Sequence, residues 1–121
     1  MLKYQRGDVM NILICDDNTA FAMQLEKDIS EYFHNPNMNI NVVIDHFDQI
    51  EGTYDVIFMD IELNDKNGIE IAKYHKNKHN CLVIFTSSHE NLVFNTFQVE
   101  PFQFIRKNHY DYDKNIVFKQ L

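Results

Sequence analysis

A chain of 121 residues, 45 % of them hydrophobic, can build one domain with a real core and is short for two. Its net charge of −7 argues against direct nucleic-acid binding, because gripping phosphates needs clustered Lys and Arg. No apolar run nears the roughly 20 residues that span a bilayer, and the polar start lacks a signal peptide's apolar stretch, so a cytoplasmic protein with no membrane contact is expected.

Residues 1–9 read as a leader or short arm and residues 10–121 as the domain. The first strand is Asn11 to Cys15, a continuous apolar run of the kind covered on both faces, and it stops at Asp16-Asp17-Asn18. Phe21, Leu25, Ile29 and Phe33 then recur every four residues, the stripe of a helix that Asn35-Pro36-Asn37 ends. Strand two is predicted from Ile40 to Phe47, and the short link from Asp48 to Thr53 leaves room only for an abbreviated or irregular second helix. Strand three runs from Asp55 to Asp60, followed by a polar loop to Gly68 and a helix with Ile69, Ile71, Ala72 and Tyr74. Strand four is Cys81 to Thr86, followed by a helix with Leu92, Val93, Thr96 and Phe97. Strand five is Phe102 to Lys107, and Tyr112 to Leu121 begins a fifth helix that is expected to be cut short.

Strands alternating with helices predict an α/β fold: a doubly wound, five-stranded parallel sheet of order 2-1-3-4-5. Cys15 and Cys81 then lie on strands separated by a third, about 9 to 10 Å apart, beyond the roughly 7 Å a disulfide allows; free thiols are expected.

Sites in such folds lie at the carboxyl ends of the strands. Those ends carry Asp16 and Asp17, Asp60, Thr86 with Ser87, and Lys107. Two carboxylates about 4 Å apart repel by roughly 4 kcal/mol at a surface-like dielectric, so such a cluster calls for a cation or a proton. All-oxygen ligands suit Mg²⁺. A metal, a lysine and a hydroxyl together are equipment for phosphoryl transfer, in which a carboxylate can be the nucleophile. Any one strand-terminal Asp is as readily a turn former or cap; the joint pattern is what carries the argument.

The motifs Ile12-Leu13-Ile14-Cys15-Asp16-Asp17-Asn18, Asp55 to Leu63, Gly68, Ile84-Phe85-Thr86-Ser87-Ser88 and Phe102 to Lys107 resemble a response-regulator receiver domain, from about Met10 onward. The resemblance implies a flavodoxin-like fold with Asp60 as phospho-acceptor. It implies Mg²⁺ held by Asp17, Asp60 and the Glu62 backbone carbonyl, with Asp16 acting through water. Lys107 would pair with phosphate, while Thr86 and Phe104 would be the switch residues. The implied partner is a sensor histidine kinase, and the role is a regulatory phospho-acceptor rather than an enzyme, beyond self-catalysed phosphoryl transfer and dephosphorylation. Val93 to Ile105 is similar to receivers attached to LytTR-type DNA-binding domains, which implies transcriptional output through a C-terminal domain missing here. The family resemblance further implies that the face of helix four, strand five and helix five carries the output, and a homodimer is expected through that face. Two departures stand out: Asn108 replaces the Pro that usually follows the lysine, and the loop after Asp60 lacks the common Pro. The alternative is a receiver-like interaction module that works without phosphorylation.

Other chemistries fit less well. The acidic Asp16-Asp17-Asn18 turn would repel a flavin phosphate, the P-loop pattern is missing, and an aspartate-nucleophile phosphatase would carry its nucleophile on strand one. His75 and His79 have metal-ligand spacing but sit among Lys73, Lys76 and Lys78, which favours a solvated basic helix end. Phe94, Phe97, Phe102 and Phe104 are expected mostly in the core, with one or two free for association.

Overall fold

A computed structural model describes residues 9–64 and 66–121; the leader expected at residues 1–9 lies, apart from exposed Val9, outside the described residues. Five strands form one parallel sheet: β1 (Met10–Cys15), β2 (Met38–Val43), β3 (Val56–Asp60), β6 (Leu82–Ser87) and β7 (Gln103–Arg106). A small antiparallel hairpin, β4 (Glu62–Leu63) with β5 (Lys66–Asn67), follows β3 where sequence predicts only a polar loop. The sheet order β2-β1-β3-β6-β7 is the predicted doubly wound order, with the hairpin set aside.

Side chains alternate across the sheet, so each strand feeds two cores. Ile12 and Ile14 of β1 join Val56, Phe58 and Ile84 under α1 (Thr19–Phe33) and α3 (Tyr110–Gln120). Leu13 and Cys15 face the other way, with Ile57, Met59 and Phe85, under α2 (Gly68–Lys78). Ala22, Leu25 and Ile29 form the buried stripe of α1; burying Leu25 or Ile29 stabilises by about 1.5–3 kcal/mol each. Asn18 caps that helix, its side chain accepting from the Phe21 amide. No helix among the described residues is long and apolar enough to cross a membrane.

Strand two is shifted from its predicted range. It starts at Met38, paired with Met10, and ends at Val43; the chain then turns through His46 at φ 52° so that Phe47 enters the core from a single 3₁₀ turn, Phe47–Gln49. That turn is the abbreviated helix. With so little to cover β2 on that side, its residues there are exposed Asn39 and Asn41, bonded to Asn11 and to the Tyr54 hydroxyl. A groove of about 300 Å³ opens beside it, lined by Phe47, Ile50, Ile71 and Tyr74 among others.

The connection after β6 is a 3₁₀ segment, Glu90–Val99, rather than the expected α-helix. Such runs are uncommon because their hydrogen bonds are poorer. Here Thr96 Oγ1 donates to the Val93 carbonyl, and Lys76 from α2 donates to the carbonyls of Val99 and Glu100 at 2.7 and 2.6 Å. Only Thr96 and Val99 of this segment are buried, so Phe94 and Phe97 are not core residues: they are 73 % and 58 % exposed and stack edge-to-face. Phe102 and Phe104 are half-buried. The last helix begins at Tyr110, two residues before its predicted start.

Cys15 and Cys81 are free thiols, as expected. Burial, followed by the neighbouring Asp16 charge, pushes the Cys15 thiol up to about 12. His75 departs from expectation: it is buried, at 3 % exposure, and its Nδ1 has no hydrogen-bond partner. Its side of α2 faces the core, alongside Ile69 and Ala72, and not the lysine-rich surface. Burial, then the charges of Lys78 and His79, hold its pKa below the usual imidazole value.

The unfolded imidazole protonates near pH 6.5 while the folded one resists. Stability is therefore present above about pH 6.5 and is lost as pH falls toward the lower folded value. His75→Leu should flatten that loss between about pH 7.5 and 5 in urea titrations. An unchanged pH slope would contradict the assignment of the loss to His75.

Candidate functional site

Each residue singled out at a strand end stands at the same edge of the sheet. Asp16 and Asp17 follow β1, Asp60 ends β3, and Thr86 is the direct lateral partner of Asp60 in β6. Lys107 follows β7 at the head of a 3₁₀ turn, Lys107–His109, that leads into α3. Carboxylate oxygens of Asp16, Asp17 and Asp60 lie within 4.8 Å of one another, the convergence that the strand order predicts.

The local backbone holds these groups in place. Asp16 accepts from the Asn18 amide at 2.8 Å, and Asp17 from the Asn64 amide at 3.1 Å, which ties the first acidic turn to the loop after β3. Asp60 Oδ1 accepts from the Glu62 amide at 3.2 Å. Gly68 closes this loop: its amide donates to the Ile61 carbonyl, and a Cβ there would stand 1.8 Å from the Asp60 carbonyl oxygen. Only glycine allows the start of α2 to press so closely against the strand end that bears Asp60.

The charges do not balance. Lys107 Nζ lies 2.8 Å from Asp16 Oδ2 and 3.2 Å from Asp60 Oδ2. Asp16 is 1 % exposed, and its Oδ2 has no aligned hydrogen-bond donor in spite of the nearby ammonium. Burial, then repulsion from Asp16, pushes the Asp60 pKa up to about 6 against the pull of Lys107. The same carboxylates outweigh burial at Lys107 and raise its pKa. An all-oxygen cluster of three carboxylates facing a single ammonium fits a hard divalent cation, so Asp16, Asp17 and Asp60 are the residues that could hold one.

The two residues read as switches sit differently. Thr86 is buried beside Asp60, while Phe104 is half-buried in β7 and lines a groove with Val93, Arg106, Tyr112 and Ile116. The Glu62 side chain pairs with His89, linking the hairpin after β3 to the turn after β6.

Sequence reasoning missed a second layer. Arg106 binds both carboxylate oxygens of buried Asp113, at 2.9 and 2.8 Å, and reaches Glu90 at 3.2 Å. The Arg106 amide also donates to Asp113, so the residue before Lys107 is clamped to α3. The arginine holds the Asp113 carboxyl below the usual carboxylate range. The only sequence signal was Asp113 itself, one of two aspartates near the start of the last helix and indistinguishable in sequence from solvated Asp111. Phe21, read as part of the α1 stripe, has its ring centre 4.7 Å from Lys107 Nζ.

Because the Asp60 pKa is raised, the folded state binds more protons than the unfolded state between about pH 4 and 6. Stability falls as pH rises through that window and stays lower above it. Without divalent cations, Asp60→Asn should add about 1–2 kcal/mol of unfolding free energy near pH 8, and less near pH 5. Equal stability of both proteins near pH 8 in chemical denaturation would contradict the repulsion.

A family model described as the response regulator receiver domain matches residues 12–114. The chain is 30 % identical over 110 residues to the sensory transduction protein LytR of Staphylococcus epidermidis, covering 81 % of this chain and 40 % of that protein. It is 32 % identical over 101 residues to the transcriptional regulatory protein LytR of Staphylococcus aureus, covering 81 % and 41 %. The chain thus spans well under half the length of these relatives. The response regulator TrrA of Thermotoga maritima, solved with Mg²⁺ and beryllium fluoride, shares the fold with a TM-score of 0.70 at 20 % identity, over 93 % of this chain and 100 % of that one. With its sheet order, its acidic strand ends and this family match, the chain belongs to the response-regulator receiver domains of two-component systems.

Proposed function

We propose that Asp60 accepts a phosphoryl group from a sensor histidine kinase in a Mg²⁺-dependent reaction, and that the modification switches a transcriptional output. The observation that carries this reading is the charge imbalance at the strand ends: three converging carboxylates, two of them buried, against one lysine. The transcriptional role of the Staphylococcus aureus relative and the Mg²⁺ and beryllium fluoride on TrrA support it.

Asp17, Asp60 and the Glu62 carbonyl would hold Mg²⁺, with Asp16 helping through water. When bound, the cation offsets the carboxylate charge and that of the phosphoryl oxygens. An oxygen of Asp60 attacks phosphorus in line; the bond from phosphorus to the donor imidazole nitrogen breaks, and its electron pair leaves with the imidazole. The chain's own contribution is positioning and charge compensation. Lys107 neutralises one phosphoryl oxygen and buried Thr86 donates a hydrogen bond to another. Moving Thr86 toward the phosphoryl group opens space beside β6 and lets Phe104 change its packing. This biases the face of the Glu90–Val99 segment, β7 and α3, where exposed Phe94, Phe97 and Tyr112 offer apolar area to a second copy. DNA would be reached through a C-terminal domain, as expected for a LytTR-type regulator.

With a small acyl-phosphate donor and Mg²⁺, intact mass should show one added phosphoryl group on the wild type and none on Asp60→Asn. Asp17→Asn should weaken Mg²⁺ binding and slow labelling, and Lys107→Ala should still be labelled, more slowly, yet switch poorly. Labelling of Asp60→Asn at the wild-type rate would remove Asp60 as acceptor. Equal occupancy with and without Mg²⁺ would remove the cation. Amide exchange should change on phosphorylation within residues 90–106; changes confined to α1 and α2 would contradict the output face.

A further inference from the structure

We infer that Phe21 is a positioning residue for phosphoryl transfer: its ring holds the Lys107 ammonium over the acceptor carboxylate. The inference rests on the reading of Asp60 as acceptor and extends it to a residue on a different element. Phe21 lies in the first turn of α1, directly after the acidic turn, and its ring centre is 4.7 Å from Lys107 Nζ. That is within the distance at which an aromatic face attracts a cation.

The ring is itself held. Tyr110, the first residue of α3, meets Phe21 edge-to-face at 5.2 Å between ring centres. The Tyr110 hydroxyl donates to Asp28 Oδ2 at 2.6 Å, and Lys114 reaches the same oxygen at 3.2 Å. A chain of contacts from α1 to α3 therefore fixes the aromatic face on which the ammonium rests.

This contact differs in kind from the other two that Lys107 makes. Asp16 and Asp60 are the carboxylates that a divalent cation would also draw on, so the lysine shares them. The aromatic ring binds no hard cation by preference and stays available to the lysine whatever the carboxylates do. It also supplies support at a position where Asn108 stands in place of the proline that commonly follows the lysine.

The test uses Phe21→Leu, which keeps apolar volume and removes the ring, and Phe21→Tyr, which keeps the ring. With the acyl-phosphate donor at saturating Mg²⁺, Phe21→Leu should lower the phosphorylation rate about five-fold, the size of one modest cation–π contact. Phe21→Tyr should restore the rate. In a Lys107→Ala background, Phe21→Leu should have no further effect, because the two act through one contact; a merely structural defect would multiply with the lysine change. Multiplicative effects, or no rescue by Tyr, would overturn the inference.

A readout independent of phosphorylation accompanies the kinetics. The Lys107 side-chain methylene protons next to the ammonium should show an upfield ring-current shift in the wild type and in Phe21→Tyr, lost in Phe21→Leu. Absence of that shift in the wild type would overturn the contact, even if labelling occurs on Asp60 as proposed. Failure of labelling in the wild type would instead sink the phospho-acceptor reading, and leave the ring-current result to decide whether Phe21 holds the lysine.

Discussion

An excess of buried negative charge at one edge of the sheet is the constraint on which the rest of this structure depends. Asp16 and Asp60 are almost fully buried, with Asp17 beside them, and among the described residues one ammonium faces the cluster. Left alone, such an arrangement opposes folding, because a carboxylate buried without a full complement of donors loses its hydration. The fold tolerates it because the strand ends supply backbone amides. Asn18, Glu62 and Asn64 each donate to one of the three aspartates. Those bonds fix the carboxylates in place without neutralising them, and the residual charge is what the proposed Mg²⁺ would offset.

Much of the surrounding architecture reads as support for that edge. The two cores sandwich β1 and β3, the central strands that deliver the aspartates, and leave them no freedom to spread apart. Gly68 lets α2 begin against the Asp60 carbonyl. Arg106 fastens the end of β7 to Asp113 of α3 and to Glu90, so the residue preceding Lys107 is held from two sides. Arg106 thus joins the lysine's strand to the 3₁₀ segment that presents Phe94 and Phe97, which gives the acidic strand ends a short physical path to that surface.

The strand order and the acidic edge were legible in the sequence because both rest on local signals. Continuous apolar runs such as Ile12 to Cys15 and Val56 to Met59 are strong strand markers, and each stops at a charged residue. The short link after strand two correctly left no room for a full helix. What escaped was set by tertiary packing. His75 is surrounded in sequence by lysines, yet its side of α2 faces the sheet. Glu90 to Val99 has a helical apolar pattern, but Thr96 and Lys76 support a tighter winding that leaves Phe94 and Phe97 outside. Phe21 fitted the α1 stripe so well that its contact with Lys107, a residue 86 positions away by sequence number, could come only from the fold.

The central claim is that the acyl phosphate forms on Asp60 and on no other carboxylate of the cluster. Borohydride reduces an aspartyl phosphate to homoserine, which marks the modified position covalently. The wild-type protein, treated with the acyl-phosphate donor and Mg²⁺ and then reduced, should yield homoserine at position 60 in peptide sequencing, and none when Mg²⁺ is chelated beforehand. Homoserine at position 16 or 17, or at none of the three, would contradict the account.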